Sequence, residues 1–232
     1  MRHALAIALL LTCAACSQEE APADEVAEAA EDIVAPTPEP TPLARGRWAP
    51  QDDCATVEGA AQFRERLAAA VEARDADAVV ALAAEDIKLD FGGGAGKAEL
   101  RARLNDETRN LWDELDELMA LGCSANDQGG ITIPWFFDQD MGVSDPYNTM
   151  LVTGENVPLF NDPKAQSAPL RSLSWDVVEV IDLKPADAYQ QVLVGDVALH
   201  IATDKLRSLV DYRLIASSRN GRWRITSFVA GD

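Results

Sequence analysis

The residues with the widest chemical reach in this chain are four cysteines, Cys13, Cys16, Cys54 and Cys123, and two histidines, His3 and His200. A nucleophilic thiol or hydroxyl needs a base within hydrogen-bond reach, and beyond the N-terminal segment only His200 offers an imidazole. His200 stands between Leu199 and Ile201 in a strand-like stretch, which suits a partly buried structural side chain better than a general base. Metal chemistry fares no better, because there is no Cys-x-x-Cys pair, no histidine-rich tract and no calcium-loop pattern. Asp75-Ala76-Asp77 and Asp138-Gln139-Asp140 are paired carboxylates of the kind found at turns, and capping of a helix start explains the first. The glycine run from Gly92 to Gly96 is followed by Lys97-Ala98, without the hydroxyl that a phosphate loop places on magnesium, so it reads as a turn from strand to helix. The expectation is a protein with no catalytic residue, no metal, no cofactor and no enzymatic activity.

The cysteines read instead as an address and a staple. Residues 1–15 join a short basic start, Arg2 and His3, to the apolar run Ala4 to Leu11 and then to small residues, the pattern of a signal peptide. Cys13-Ala14-Ala15-Cys16, followed by Ser17-Gln18, resembles the bacterial lipobox, in which small residues precede a cysteine that is acylated and becomes the new N-terminus. That resemblance implies lipidation, palmitate included, at Cys16; a shifted site at Cys13 and a plain secretory cut near Ala15 are the alternatives. With Cys13 removed and Cys16 acylated, Cys54 and Cys123 remain as a pair. In an oxidising periplasm they would close a loop of about 70 residues, worth roughly 4 kcal/mol by chain entropy; two unrelated buried thiols are the other reading.

The chain has 232 residues, 39 acidic against 20 basic, and a formal charge of -19. Nucleic acid, which demands stripes of Lys and Arg, is excluded as a partner, and so is electrostatic docking on anionic lipid. No apolar run beyond the N-terminal segment approaches the roughly 20 residues needed to cross a bilayer. Residues 16–50 combine six prolines with eight acids against Arg45 and Arg47, the composition of an extended, disordered tether.

The elements that must position any site follow. Residues 51–149 form a helical α+β part. Phe63, Leu67 and Val71 make one stripe of a helix, a second short helix runs through Val79 and Leu82, and Ile87, Leu89 and Phe91 alternate as a half-buried strand. Leu100 and Leu104, then Leu111, Leu115 and Leu118, mark two further helices, the last stopped by Gly122. The stretch 131–137 is extended, with Pro134 placing it at an edge or bend. Residues 208–232 form a C-terminal hairpin whose Asn220-Gly221 turn pairs Arg219 with Arg222 and sends Tyr212, Leu214, Ala216, Trp223, Ile225 and Val229 to one face, with Ile215 and Phe228 interrupting the polar face opposite.

Between them, 150–207 holds short β-like segments in the spacing of a small barrel. Asn156-Val157-Pro158-Leu159-Phe160-Asn161-Asp162-Pro163, then Ser167, Leu173 and Val177-Val178-Glu179-Val180, resembles the bacterial Src-homology-3-type domain. The flanking helix-helix-strand opening and closing hairpin are more distantly similar to the cone fold of the nuclear transport factor and SnoaL-like superfamily. The fold expected is therefore α+β: helices packed on an antiparallel sheet, with a small Src-homology-3-like β-barrel and a C-terminal β-hairpin. The function expected is that of a cell-envelope lipoprotein, anchored in the outer membrane and facing the periplasm, that binds a cell-wall peptide, glycan or protein partner. Trp175 and Tyr189 are the candidate ligand-binding aromatics, since sugars and peptides are held against aromatic faces with a polar rim. The rival reading is a small-molecule carrier or enzyme using a cone cavity, with Asp90 or His200 as the polar group inside it.

Overall fold

Helix α1 (Ala60–Glu72) turns the Phe63, Leu67, Val71 stripe into a buried face, with Ala60 and Ala70 completing it, and Phe63 stacks on Trp223 with ring centroids 5.8 Å apart. Helix α2 (Ala76–Leu82) starts at Asp75, whose carboxylate accepts from the Ala78 N–H at 2.9 Å. Strand β1 (Ala83–Lys88) follows, and a glycine turn leads into α3 (Lys97–Leu104) and α4 (Leu111–Met119), which bury Leu100, Leu104, Leu111, Leu115 and Leu118. The computed structural model describes residues 46–163 and 168–231, all within one compact unit spanning Leu43–Asp232. Residues 1–45, and with them Cys13 and Cys16, lie outside the described residues.

The first sheet has the order β1-β12-β11-β3-β2, where β2 is Ser124–Ala125, β3 Ile131–Ile133, β11 Arg213–Arg219 and β12 Arg222–Val229. All neighbours are antiparallel except β1 and β12, which run parallel. Arg219 pairs with Arg222, as the Asn-Gly turn dictates, but the register shifts between Ile215 and Ala216. This bulge at Thr226, whose Oγ1 donates to the Ile215 carbonyl at 3.2 Å, brings Phe228 opposite Leu214. Phe228, expected on the polar face, is therefore in the core beside Leu214, Ala216, Trp223 and Ile225. The four helices pack on that face and fill the space above it. Phe91, expected to face inward, lies beyond β1 and is 47% exposed, with Lys88 Nζ 3.7 Å from its ring centre. Strand β3 is flanked on both sides, and Pro134 stands just after it, where a 3-10 turn (Trp135–Asp138) begins.

The staple lies at this sheet's rim. Cys54 and Cys123 are joined by a disulfide, their Cα atoms 5.7 Å apart. The Gln51 carbonyl accepts from the Cys123 N–H at 2.8 Å and the Asp53 N–H donates to the Cys123 carbonyl at 2.9 Å. Gly122 is required here: its φ is +74°, and a Cβ would stand 2.2 Å from the Gln51 carbonyl oxygen.

The second sheet has the order β10-β4-β7-β8-β9: Leu206–Ser208, Thr149–Val152, Val177–Val180, Tyr189–Val194 and Val197–Ala202. Strands β5 (Val157–Leu159) and β6 (Arg171–Leu173) pair separately, and β5 continues to a bridge between Phe160 and His200. Among the described strands β9 and β10 are not paired with each other, so hydrogen bonding leaves the sheet open. Its core holds Val152, Leu159, Val192, Leu199 and Ile201.

A third cluster joins the halves: Trp48, Leu121, Trp135 and Phe136 pack with Leu151 and Leu209. Trp48 corrects the expected end of the tether at residue 50, because it is only 5% exposed and its N–H donates to the Trp175 carbonyl at 2.8 Å. Beside this cluster Arg207, 4% exposed, pairs with Glu117 at 2.7 Å and lies 3.7 Å from Asp211 and 3.8 Å from Glu114. Burial, reinforced by the Asp211 charge, pushes the Glu114 carboxyl up to about 7.

Candidate functional site

Strands β8 and β9 set Tyr189, Gln191 and His200 beside one another, Gln191 directly opposite His200. They line a cleft of about 210 Å³ whose rim adds Ile181, Lys184 and Asp187. Tyr189 is half-buried and meets Phe160 edge to face, with centroids 6.1 Å apart, so its ring is held at one angle to the cleft. Gln190, buried beneath, ties the rim loop down: its Oε1 accepts from the Lys184 N–H at 2.9 Å and its Nε2 donates to the Lys184 carbonyl at 2.7 Å. The hydrogen bond to Asp182 holds the Lys184 ammonium above its ordinary pKa, and Asp182 and Asp187, which line the same cleft, offset its charge.

His200 Nδ1 lies 3.0 Å from the Asn161 carbonyl oxygen. A carbonyl only accepts, so Nδ1 carries the proton and Nε2 of the neutral ring is an acceptor. No hydroxyl, thiol or carboxylate is hydrogen-bonded to this imidazole among the described residues. The site can therefore orient a ligand by an aromatic wall, the Lys184–Asp182 ion pair, an amide and an imidazole.

Trp175 is elsewhere. It sits in a left-handed conformation, φ +45°, half-buried against the cluster of Trp48, Leu151 and Leu209. The two aromatics singled out from sequence are thus not brought together: Tyr189 borders a cleft, whereas Trp175 packs the joint between the halves. Lys184 and Gln191 were missed, because only strand register brings them to Tyr189 and nothing in their local sequence marks them.

Asp90 belongs to a turn. It accepts from the Gly92 and Gly94 N–H groups at 2.8 and 2.7 Å and from Arg103 Nη2 at 2.5 Å. The Arg103 bond, followed by the Gly94 N–H, lowers its carboxyl to about 2. Its oxygens are engaged in closing the glycine run, while His200 belongs to the other sheet. Asp138 accepts from the Ser124 hydroxyl, tying the 3-10 turn to β2, and Asp140 closes a turn by accepting from the Gly142 N–H at 2.9 Å. Asp52, Cys54 and Cys123 bring three potential metal-ligand atoms within 4.8 Å of one another, but the two sulfurs are bonded to each other and hold no thiolate. No described helix is long and apolar enough to cross a membrane. No protein-family model and no curated protein matches the chain.

Proposed function

We propose that this chain is a lipid-anchored protein of the bacterial cell envelope, held at Cys16 in the outer membrane and facing the periplasm, which acts by non-catalytic binding of a cell-wall peptide or glycan. The observation that carries the reading is the Tyr189 cleft, in which a fixed aromatic face is rimmed by Gln191, His200, Asp187 and the Lys184–Asp182 pair. Aromatic faces with a few convergent polar groups suit sugar rings and peptide planes. The resemblance of 150–207 to Src-homology-3-type domains supports the same reading, and the tether gives it reach. In polyproline form residues 17–45 would span roughly 90 Å at about 3.1 Å each.

The test is retention of a soluble fragment beginning at Leu43 on purified peptidoglycan. Retention that Tyr189→Ala reduces at unchanged melting temperature is the expected result. A fragment that ignores the sacculus but is crosslinked to a periplasmic protein through the cleft would make the ligand a protein; no binding of either kind would overturn the reading.

A further inference from the structure

The β11–β12 hairpin places positive charges against one another. Arg219 and Arg222 form the last rung before the turn, directly opposite each other, and Ser217 and Arg224 form the next rung on the same face. Like charges opposite one another on paired strands repel. Rotating the hairpin cannot relieve this, because its other face buries Trp223, Ala216 and Ile225. Asp86 from β1 and Thr226 complete a cleft of about 190 Å³ with these residues.

In a chain with 39 acids and 20 bases, carboxylates outnumber cations. Arg64, Arg74, Arg101, Arg103, Arg109 and Arg207 each take one or more. Arg219, Arg222 and Arg224 take none among the described residues, and neither do Arg47, Arg66 and Arg171, but the hairpin arginines are the ones that line a common cleft. Arg224 Nη1 donates to the Trp223 carbonyl at 2.8 Å, which anchors the guanidinium without neutralising it. Asp86 shares the cleft and forms no ion pair with any of the three. The cleft thus gathers three uncompensated guanidiniums, one free hydroxyl and one unpaired carboxylate in a space the size of an amino acid.

We propose that this cleft binds the carboxylates of an acidic peptide that also bears a free amine, the guanidiniums taking the carboxylates and Asp86 the ammonium. The arginine fork matches a carboxylate through two parallel hydrogen bonds, and a carboxylate between Arg219 and Arg222 removes their mutual repulsion. Asp86 selects against a bare phosphate dianion, which it repels, and in favour of a ligand with its own cation. The inference rests on the envelope-binding reading and names the part of the cell wall recognised, its amino-dicarboxylate peptide stem; the contact is additional to the Tyr189 cleft.

The experiment titrates the full chain, purified in detergent, with the tripeptide alanyl-γ-glutamyl-diaminopimelate, with the same peptide amidated at its carboxyl groups, and with inorganic phosphate. The tripeptide binds, and binding weakens as salt rises. Arg224→Gln weakens it by about tenfold or more, the loss of a charge-assisted pair, and Asp86→Asn weakens it less. The amidated peptide and phosphate bind much more weakly. Arg222→Gln gives a second reading independent of ligand: it raises the melting temperature of the free protein while reducing tripeptide binding. Tripeptide binding untouched by Arg224→Gln and Arg222→Gln, phosphate binding as tight as the tripeptide, or no tripeptide binding would each overturn the inference. Retention on whole peptidoglycan with no tripeptide binding would leave the envelope reading standing; loss of both would remove the two together.

Discussion

One guanidinium, that of Arg207, faces Glu114, Glu117 and Asp211, and Glu114 is the carboxylate least well served. Its folded pKa of about 7 lies above the ordinary value of 4.5, so the folded chain keeps a proton that the unfolded chain has released. Stability contributed by this group is therefore full below about pH 4.5 and is lost as pH rises through 7. Glu114→Gln should flatten that slope, stabilising the protein by about 1–2 kcal/mol at pH 8, a figure reduced for its solvent contact, and changing little near pH 5. Chemical denaturation at the two pH values measures it; equal effects at both would mean that Glu114 is charged throughout. Trp175 and Tyr189 separate in the same way: Trp175→Ala should cost about 3 kcal/mol of stability by unpacking the joint, while Tyr189→Ala should act on binding. On the proposed lipid anchor, Cys16→Ala should abolish acyl labelling and release the protein from membranes, since buried acyl chains at about 0.8 kcal/mol per CH₂ would supply the anchoring. Labelling that persists would move the site to Cys13.

Elements were legible wherever local pattern and local geometry coincide. The stripe of α1, the Asp75 cap and the Asn220-Gly221 turn each follow from a few neighbouring residues, and the register at Arg219 and Arg222 follows from the turn. The bulge at Thr226 does not, because it answers to packing: it lets Phe228 join Leu214 at the core while the turn keeps its own phase. Phe91 misleads for the reverse reason, since alternation continues past the last paired residue while the chain has already left the sheet. The basic cleft has the same origin as the bulge, for Asp86 reaches the arginines only through the parallel pairing of β1 with β12. Gly122 was legible as a helix stop but not as the close approach to Gln51. Gly122→Ala should therefore cost more than the about 1 kcal/mol of an ordinary left-handed site, in the range of about 2–4 kcal/mol, because backbone rather than a flexible side chain stands in the way. A cost near 1 kcal/mol would show that the Gln51 segment yields.

At the scale of the whole molecule, the two sheets are joined by the Trp48 cluster and the Arg207 ion pairs. Proline and charge outvoted one tryptophan in the composition of 16–50, which is why the folded edge before residue 50 was hidden. A fragment starting at Gln51 should melt well below one starting at Leu43, by roughly 10 °C or more, since losing Trp48 costs about 3 kcal/mol or more. Equal melting temperatures would make Trp48 a passenger. The disulfide gives the molecule a mechanical property as well. A pull applied at Gly46 reaches Cys54 within a few residues and passes through its sulfur to Cys123, 69 positions along, leaving the four described helices off the line of tension. Force that would otherwise unravel α1 first is delivered to the sheet rim at the Asp52–Cys123 bridge, and the 69-residue segment, roughly 230 Å of contour at about 3.4 Å per residue, stays reeled in until the thiols are reduced.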